Sequence, residues 1–312
     1  MNRRAPTFLE IAAKNQHNPA MPIRALTRRQ FFPDPRARLA VSRQPVQHNV
    51  AQHRHEFFEI AVILSGGGTH VTGKLRHPIG AGDVLVINNR RAHGYADERG
   101  LNLVNLLIAG ELINQIGRRL REVPAFHALF SLEPARWRRK EYRGRLTLTL
   151  SQLGQVEEWV NRLETELRRG DAAGHLAAEA WLTLIISLLV ARYDRQPRQA
   201  APPDSDSAMS RLLGWLEKNC AAPLTVGDLA RQAGMSERNF YRAFRAAVGQ
   251  TPLAYLTEAR IRRAMDSLAR SDIRVSEAAA VSGFDDSNYF SRVFRQVTGQ
   301  TPRQFARHQA GR

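Results

Sequence analysis

The chain has 312 residues, of which 43% are hydrophobic, so it can form two domains with buried cores and is too apolar for a disordered protein. No apolar stretch reaches the roughly 18 residues of a membrane span, and the N-terminus has no secretory signal pattern. We therefore expect a cytoplasmic protein with no membrane partner. The single cysteine, Cys220, argues against an internal disulfide and against a zinc site built from cysteines.

The charge balance is strongly basic. Lys and Arg number 46 against 29 Asp and Glu, which gives a net charge of +17. A surplus of this size favours polyanionic partners, above all nucleic acid. However, 42 of the 46 basic residues are arginine, a bias that a GC-rich genome also produces. The charge therefore suggests nucleic acid without establishing it.

The first third of the chain is predicted to be a β-domain. After an N-terminal arm, residues 1–35, short runs rich in β-forming residues such as 57–64 and 84–87 alternate with glycine turns. Frequent short strands with glycine turns are typical of a small barrel or sandwich. Residues 36–110 are therefore predicted to form a compact β-domain.

Residues 111–194 have a helical period. An apolar stripe recurs at helical spacing at Leu153, Val156, Val160, Leu163 and Leu167. Residues 176–193 are apolar nearly all round, which is typical of a helix buried in the core or in a subunit contact. Because an isolated amphipathic helix needs a partner surface, we predict that the stripe forms a homodimer contact. Packing of the stripe against the chain's own barrel is the alternative.

A proline-rich linker, residues 195–207, precedes an internal repeat that aligns residues 226–252 with residues 275–302. The matching positions include Phe240, Arg242, Phe244, Arg245 and Gly249-Gln250-Thr251-Pro252 in the first copy, and Phe290, Arg292, Phe294, Arg295 and Gly299-Gln300-Thr301-Pro302 in the second. Each copy has the pattern of a short helix, a glycine turn and a second helix with an N-cap. This pattern predicts a helix-turn-helix, whose second helix lies in the DNA major groove; a tandem α-hairpin used only for packing is the alternative.

The C-terminal third resembles the AraC/XylS family of DNA-binding domains. The likeness rests on residues 283–295, GFDDSNYFSRVFR, and on the Gly-Gln-Thr-Pro stretch that follows. It implies a DNA-binding domain over 208–308 with helix-turn-helix modules at about 226–247 and 275–298, joined by a long helix. A rigid connector of this kind would place both second helices in successive major grooves, about 34 Å apart.

Ten residues of the two second helices are predicted to face DNA. They are Ser236, Arg238, Tyr241, Arg242 and Arg245 in the first module, and Ser287, Asn288, Ser291, Arg292 and Arg295 in the second. Arginine suits bidentate contacts to guanine and asparagine suits adenine, whereas serine more often reaches phosphate. The four phenylalanines of the repeat are predicted to pack inward. For any one of the ten residues, a phosphate contact or a solvated side chain is the alternative.

A second motif lies in the β-region. His53 and His55 precede Glu59 and Gly66 with the spacing HxH-x3-E-x6-G, and a glycine–aspartate pair at 82–83 precedes His93. This pattern resembles the two motifs of the cupin fold. On neighbouring strands the three histidines and Glu59 would converge on one point, and this donor set suits Fe, Mn, Zn or Ni. These residues are predicted to line an effector pocket; a metal ion at them, or packing within the barrel, is the alternative.

The β-region also resembles the arabinose-binding-like domain of rhamnose-type AraC regulators. The stretches HEFFEI at 55–60 and NLVNLL at 102–107 carry this likeness, which implies a sugar-type effector. The predicted fold is α+β: an N-terminal cupin-like β-barrel with flanking helices, then an all-α DNA-binding domain of two helix-turn-helix modules joined by a long helix. The basic N-terminal arm and the helices after the barrel are the predicted switching surfaces.

The predicted function is sequence-specific, effector-responsive regulation of transcription, controlling genes of carbohydrate uptake or catabolism. The expected partners are double-stranded DNA, a small-molecule effector and a second copy of the chain, with RNA polymerase as a further candidate. No cofactor is required, and no catalytic residue is predicted. The alternative function is a metal-dependent cupin enzyme, a dioxygenase or an isomerase, attached to a DNA-binding module.

Overall fold

The computed structural model describes residues 23–32, 37–45, 49–88, 92–132, 146–195, 205–270 and 273–310. Contacts divide the chain into two compact units. The first unit contains Met1–Leu120 and Ala128–Pro202, and the second contains Arg121–His127 and Pro203–Arg312. The described strands all lie in the first unit and helices occur in both, so the predicted α+β class is confirmed.

Within the described residues the first unit contains one sheet of eight strands. They are β1 (Arg24–Leu26), β2 (Leu39–Pro45), β3 (Val50–His55), β4 (Phe58–Thr72), β5 (Leu75–Gly80), β6 (Asp83–Ile87), β7 (His93–Ile108) and β8 (Leu146–Thr147). β1 pairs with β3 in parallel, and the remaining pairs are antiparallel. The long strands β4 and β7 pair with each other. In addition, β7 pairs with β2 and β3, and β4 pairs with β5 and β6.

Apolar side chains on one face of these strands form the core of the sheet. Ile63, Leu85 and Leu101 are fully buried there, in one cluster with Tyr95. At the bend of β4, Gly66 has a φ of +72°, and a Cβ on it would lie 2.0 Å from the carbonyl oxygen of Gly100. Only glycine fits at this position, because β4 and β7 approach too closely for any side chain.

The chain also contains helices in both units. They are α1 (Arg28–Phe31), α2 (Gly110–Leu120), α3 (Pro124–His127), α4 (Leu150–Arg169), α5 (Ala172–Arg195), α6 (Ser205–Asn219), α7 (Val226–Gln232), α8 (Glu237–Val248), α9 (Pro252–Arg270), α10 (Val275–Val281), α11 (Ser287–Thr298) and α12 (Pro302–Ala310). A short π-helical turn, Ala128–Leu132, follows α3. The residues of α3 belong to the second unit and those of α4 and α5 to the first.

Part of the predicted N-terminal arm, residues 1–35, belongs to the sheet domain in the structure. β1 extends the sheet by pairing with β3, and Phe32 is buried with its ring 5.6 Å from that of Phe57. The backbone N–H of Arg28 donates to Glu56 at 2.5 Å. Residues 24–32 are therefore part of the sheet domain, because they bury apolar side chains against it. Residues 1–22 of the predicted arm lie outside the described residues.

The apolar stripe of α4 is buried inside its own chain. The helix starts at a capping box in which Thr149 accepts from the backbone of Gln152 at 3.3 Å. From there α4 presents Leu153, Val156, Val160 and Leu163 to the interior, each at most 8% exposed, and it packs against α5. The prediction that this stripe forms a homodimer contact is therefore wrong, because α5 covers it.

The α5 helix was expected to be buried in the core or in a subunit contact, and within the single chain only one side of it is buried. Its buried side includes Leu182, Ile185 and Leu189, whereas Leu176 is 70% exposed and Leu184 is 46% exposed. By length and composition alone α5 could cross a membrane, with a mean hydropathy of 1.7. In the described structure its buried side instead packs against α4, which leaves one apolar face of α5 on the surface.

The second unit contains two helix-turn-helix pairs, α7 with α8 and α10 with α11, connected by α9. These helices lie at the positions predicted from the repeat. α6 starts at Ser205, inside the predicted linker 195–207. The turn between α10 and α11 contains Gly283, whose φ is +84°; a Cβ on it would lie 2.6 Å from the carbonyl oxygen of Ala221. Glycine therefore lets this turn pack against the end of α6.

The phenylalanines of the repeat form the cores of the two modules. Phe240 and Phe244 are fully buried on α8, with ring centroids 5.5 Å apart. Phe290 and Phe294 repeat this arrangement on α11, also at 5.5 Å. The prediction that these residues pack inward is confirmed. Their burial fixes which face of α8 and of α11 is turned outward.

Candidate functional site

The four residues predicted to form a pocket lie inside the sheet domain. His53 and His55 are on β3, Glu59 is on β4 and His93 is on β7. All four are at most 2% exposed. The register pairs His53 directly with His93 across β3 and β7, so these two strands bring residues far apart in the sequence to one place.

Three of the four side chains converge closely. Glu59 Oε2 lies 3.5 Å from His55 Nε2 and 3.9 Å from His93 Nε2. His55, Glu59 and His93 each offer one donor atom, and these atoms lie within 4.8 Å of one another. The ring of His53 lies 4.5 Å from that of His93, but His53 is outside this group. The structure therefore brings together three of the predicted residues and places the fourth beside them.

A hydrogen bond to the backbone fixes the orientation of the His55 ring. Its Nδ1 lies 2.6 Å from the carbonyl oxygen of Phe57. A carbonyl only accepts, so Nδ1 carries the proton, and Nε2 presents its lone pair toward Glu59. His53 makes the equivalent contact, with Nδ1 at 3.0 Å from the carbonyl oxygen of Ala51. This backbone support is the arrangement that orients histidine ligands in metal sites.

Burial controls the charge of the group. It lowers the pKa of His55 to about 3, with an added effect of His53, and it lowers the pKa of His93 well below the usual value. It raises the pKa of the Glu59 carboxyl to about 8. Near neutral pH both imidazoles are therefore uncharged, which leaves their lone pairs available as ligands.

Several buried polar atoms at this place have no hydrogen-bond partner among the described residues. They include both oxygens of Glu59, Nε2 of His55, both ring nitrogens of His93 and the hydroxyl of Tyr95. Buried polar atoms in native proteins are satisfied by protein groups, water, ions or ligands. The concentration of such atoms around one point therefore indicates a polar occupant.

Two further residues belong to this cluster, and the sequence motif did not identify them. Tyr95 is buried two residues after His93 on β7, and its ring lies 6.0 Å from that of His93. His70 on β4 is also buried, with its ring 5.8 Å from the rings of both His93 and Tyr95. The period of two along a strand is the signal for Tyr95, because His93 and Tyr95 share a face. The partner strand of His70 could not be known from sequence.

The second candidate site is the outer face of α8 and α11. Of the ten residues predicted to face DNA, nine are exposed and Ser291 is partly buried. Ser236 stands at the N-cap of α8. On α11 the hydroxyl of Ser291 donates to the carbonyl oxygen of Ser287 at 2.9 Å. That donor is used within the helix, so Ser291 is left to act as an acceptor.

Two exposed residues support the arginines and were missed in the sequence. Arg242 donates to the side chain of Asn239 at 3.3 Å, and the guanidinium of Arg292 lies 5.4 Å from the ring centre of Tyr289. In each helix the supporting residue precedes the arginine by three positions, so they are neighbours on the helix surface. The repeat itself contains the signal, because Asn239 and Tyr289 occupy equivalent positions in the two copies.

The start of α11 is capped by a carboxylate. Asp286 accepts from the backbone N–H groups of Asn288 at 2.7 Å and Tyr289 at 3.0 Å. These hydrogen bonds lower the pKa of Asp286 below the usual value. Capping fixes the first turn of the helix and thereby the position of Asn288.

Comparison with known proteins matches both halves of the chain. A family model described as an AraC-like ligand binding domain matches residues 38–182, and one described as a helix-turn-helix domain matches residues 229–308. The chain is 30% identical to the HTH-type transcriptional activator RhaR of Cronobacter sakazakii over 278 residues, covering 89% of this chain and 94% of that protein. It is 28% identical to the HTH-type transcriptional activator RhaS of Pectobacterium carotovorum over 280 residues, with 90% and 95% covered.

Solved structures similar to the chain include one that matches most of its length and others that match about a third of it. The apo form of a ToxT variant from Vibrio cholerae is 14% identical, with a TM-score of 0.33, and the match covers 86% of this chain and 96% of that one. The DNA-binding domain of AdpA, solved with a target DNA, is 29% identical with a TM-score of 0.32, covering 33% of this chain and 94% of that one.

Proposed function

Because the chain belongs to the AraC family of transcriptional regulators, we propose that its second unit reads operator DNA with α8 and α11 and that its first unit adjusts this binding to a small effector. We call the units the DNA-binding unit and the sensor unit. The observation that supports the DNA contact best is the repeat itself: two helices bury equivalent phenylalanines and expose equivalent arginines, Arg242 with Arg245 and Arg292 with Arg295. A repeat used only for packing would not need two arginines in the same outward positions.

The chemistry of the exposed side chains divides the proposed contacts. Arg238, Arg242 and Arg292 suit guanine, and Asn288 suits adenine, each through paired hydrogen bonds in the major groove. Ser236 and Ser287, at the N-terminal ends of their helices, suit phosphate oxygens, as do Arg245 and Arg295. Tyr241 and Ser291 complete the proposed surface.

The sensor unit is proposed to bind its effector at the cluster of His53, His55, Glu59 and His93. A sugar would satisfy this cluster, because its many hydroxyl groups both donate to lone pairs and accept from N–H and O–H groups. The similarity to activators named RhaR and RhaS agrees with the resemblance to rhamnose-type regulators. We therefore propose that the target genes serve carbohydrate uptake or catabolism.

The residues at this cluster also fit a metal ion. His55 and His93 offer unprotonated nitrogens, and Glu59 would lose the proton that burial keeps on it when a metal binds, which leaves a carboxylate ligand. This donor set suits divalent transition metals. When bound, such an ion would supply a Lewis-acid contact for hydroxyl oxygens of the effector. The chain's own part is to orient the two imidazoles, which the carbonyl of Phe57 does for His55.

Cobalt(II) added to the purified protein should therefore produce visible absorption bands of the coordinated ion. Glu59→Gln should weaken binding of cobalt(II), because it replaces a carboxylate ligand with a neutral amide. Glu56→Gln is the matched control, since Glu56 is exposed and lies three residues away. Unchanged spectra of the wild-type protein would contradict a metal ion at this cluster.

A homodimer is proposed through the exposed face of α5. Leu176, Ala180 and Leu184 are exposed and follow one another at intervals of four residues, so they lie along one side of the helix. In an antiparallel pair with its two-fold axis at Ala180, Leu176 of one copy meets Leu184 of the other. The face is thus complementary to itself, which is what a two-fold symmetric contact requires. Because the relatives are named activators, RNA polymerase is a proposed partner of the DNA-bound dimer, and the cytoplasm is the proposed location.

Selection of duplexes from a random DNA library by the full-length protein tests the proposed function. For each protomer of the dimer we expect enrichment of two short conserved blocks spaced by about one helical turn, one for each of the recognition helices α8 and α11. Affinity for the selected duplex should then fall as salt concentration rises, since phosphate contacts release counterions. A library that stays unenriched after repeated rounds would contradict sequence-specific reading.

A further inference from the structure

Seven residues that lie in the sequence between two parts of the sensor unit belong to the DNA-binding unit. Arg121–His127 belongs to the second unit, although Leu120 before it and Ala128 after it belong to the first. We call Arg121–His127 the inserted segment. It contains α3, which packs against α6. The chain therefore leaves the sensor unit at the end of α2, contributes seven residues to the DNA-binding unit and returns.

A buried ion cluster holds the start of the inserted segment. The guanidinium of Arg121 lies 3.7 Å from a carboxylate oxygen of Glu217 on α6 and 3.0 Å from one of Asp266 on α9. The side chain of Glu217 is 2% exposed and that of Arg121 is 12% exposed. Charges so far from water depend on each other, because neither keeps its hydration shell.

Glu217 is also bound from the connector helix α9. Its second oxygen accepts from the hydroxyl of Tyr255 at 3.0 Å and from Arg262. Burial by itself would raise the pKa of Glu217, but Arg262, His127 and Arg121 together lower it below the usual value. Glu217 is therefore ionised, and Arg262 and Tyr255 would still hold it if Arg121 were removed.

The backbone of the inserted segment lies directly on α6. A Cβ at Gly214 would lie 3.0 Å from the carbonyl oxygen of Glu122, so a side chain as small as alanine would push the segment away by a few tenths of an ångström. The buried ring of His127 hydrogen-bonds the carbonyl oxygen of Arg121, which ties the two ends of the segment together. The segment is therefore a defined structural element with its own fixed contacts.

The helix α9, which contributes Tyr255, Arg262 and Asp266 to this cluster, also packs against both recognition helices, α8 and α11. The ring of Tyr255 lies 5.8 Å from that of Phe244 on α8. Further along α9, Ile261 and Leu268 pack in one core with Phe290 and Phe294 of α11. α9 thus joins the inserted segment to the cores of both modules, and its position determines how far apart the two recognition helices lie.

We propose that the inserted segment is the element through which the sensor unit regulates operator binding. The proposal rests on the proposed function as an effector-responsive regulator. Because the chain is continuous, a movement of α2 or of Ala128–Leu132 reaches the segment from one end or the other. An effector changes DNA affinity only if some element has different contacts in two states, and the ion pairs of Arg121 are contacts that can be made or lost. Linkage then requires that operator binding also alters the sensor unit.

This reciprocity gives a test that needs no known effector. Hydrogen–deuterium exchange of the full-length protein is followed with and without the selected operator duplex. In the wild-type protein, operator binding should change the exchange of α2 and of the sheet. Arg121→Met, which removes the cation and keeps the aliphatic chain, should still bind operator and should lose this change. Arg119→Met is the matched control, since Arg119 is exposed at the end of α2 and its variant should behave as the wild type.

Gly214→Ala tests the backbone contact without changing any charge. Alanine favours a helix over glycine, so unfolding of α6 would not explain a loss of coupling. We expect the operator-induced change in the sensor unit to disappear in this variant as well. Gly154→Ala in α4 is its control, because a Cβ there meets nothing within 4 Å and coupling should persist.

A sensor unit whose exchange responds to operator in Arg121→Met and Gly214→Ala would overturn the proposal, as would a wild-type sensor unit that does not respond. Failure of the proposed function has a different signature, since the library would then yield no operator duplex at all.

Discussion

Leu163→Arg should unfold the sensor unit and should not yield a folded monomer. Leu163 is fully buried on α4, where α5 packs against it. The substitution removes a buried leucine, which costs about 2–5 kcal/mol, and adds an unpaired buried charge. Domains of this size are stable by roughly 5–15 kcal/mol, so a large part of the folding free energy is lost. Loss of a cooperative thermal transition, followed by circular dichroism, is the measurement.

Leu184→Arg is the matched variant on the neighbouring helix. Leu184 is 46% exposed, so the arginine reaches water and the thermal transition should stay close to that of the wild-type protein. If α5 forms the homodimer contact, this variant should sediment as a monomer, because two guanidinium groups would face apolar residues across the two-fold axis. A folded Leu163→Arg monomer together with a dimeric Leu184→Arg protein would reverse the assignment of the two faces.

The α4 stripe shows what an apolar pattern can and cannot predict. Leu153, Val156, Val160 and Leu163 are buried at the predicted positions, because helical periodicity determines which face avoids water. The pattern does not say whether the covering surface belongs to the same chain or to another one. Here the covering surface is α5, which follows after a turn at Gly170, and the surface left over is on α5 itself.

The repeat was more informative, because it supplied two independent copies of one structure. Helix starts, inward phenylalanines and outward arginines could each be checked between copies, and the helices lie where the alignment placed them. By contrast, the inserted segment leaves no mark in the sequence. Its residues match no repeat or motif, and their role depends on contacts with Glu217 and Asp266, which lie far along the chain.

The histidine cluster was predicted in part from the sequence. The sequence predicted neighbouring strands for His55 and Glu59, but β3 and β4 do not pair with each other; both pair with β7, which lies between them and contributes His93. His53, with the same spacing signal, is left beside the group of three. The register between β3 and β7 shifts between Val50 and His53, and an irregularity of this kind depends on the paired strand, so the sequence of β3 alone does not predict it.

Replacing both Arg242 and Arg292 with alanine should nearly abolish sequence-specific binding. Each paired arginine–guanine contact contributes roughly 1–3 kcal/mol of discrimination, and the two residues lie in separate modules, so their losses should add. Arg242 and Arg292 are exposed and held by Asn239 and Tyr289, which reduces the ordering that DNA binding requires. The double variant should therefore lose on the order of 30-fold to 10,000-fold in affinity for the selected operator.

Fluorescence anisotropy with the operator and with a scrambled duplex distinguishes base contacts from phosphate contacts. Loss of a base contact lowers affinity for the operator alone and relaxes the preference at one base pair for each arginine. Loss of a phosphate contact weakens binding to both duplexes and reduces the dependence on salt. Arg231→Ala is the control for charge, because Arg231 is exposed on α7 and is paired with Asp228. Equal losses on both duplexes in the double variant would reassign Arg242 and Arg292 to the phosphate backbone and leave Arg238 and Asn288 as the residues that specify the sequence.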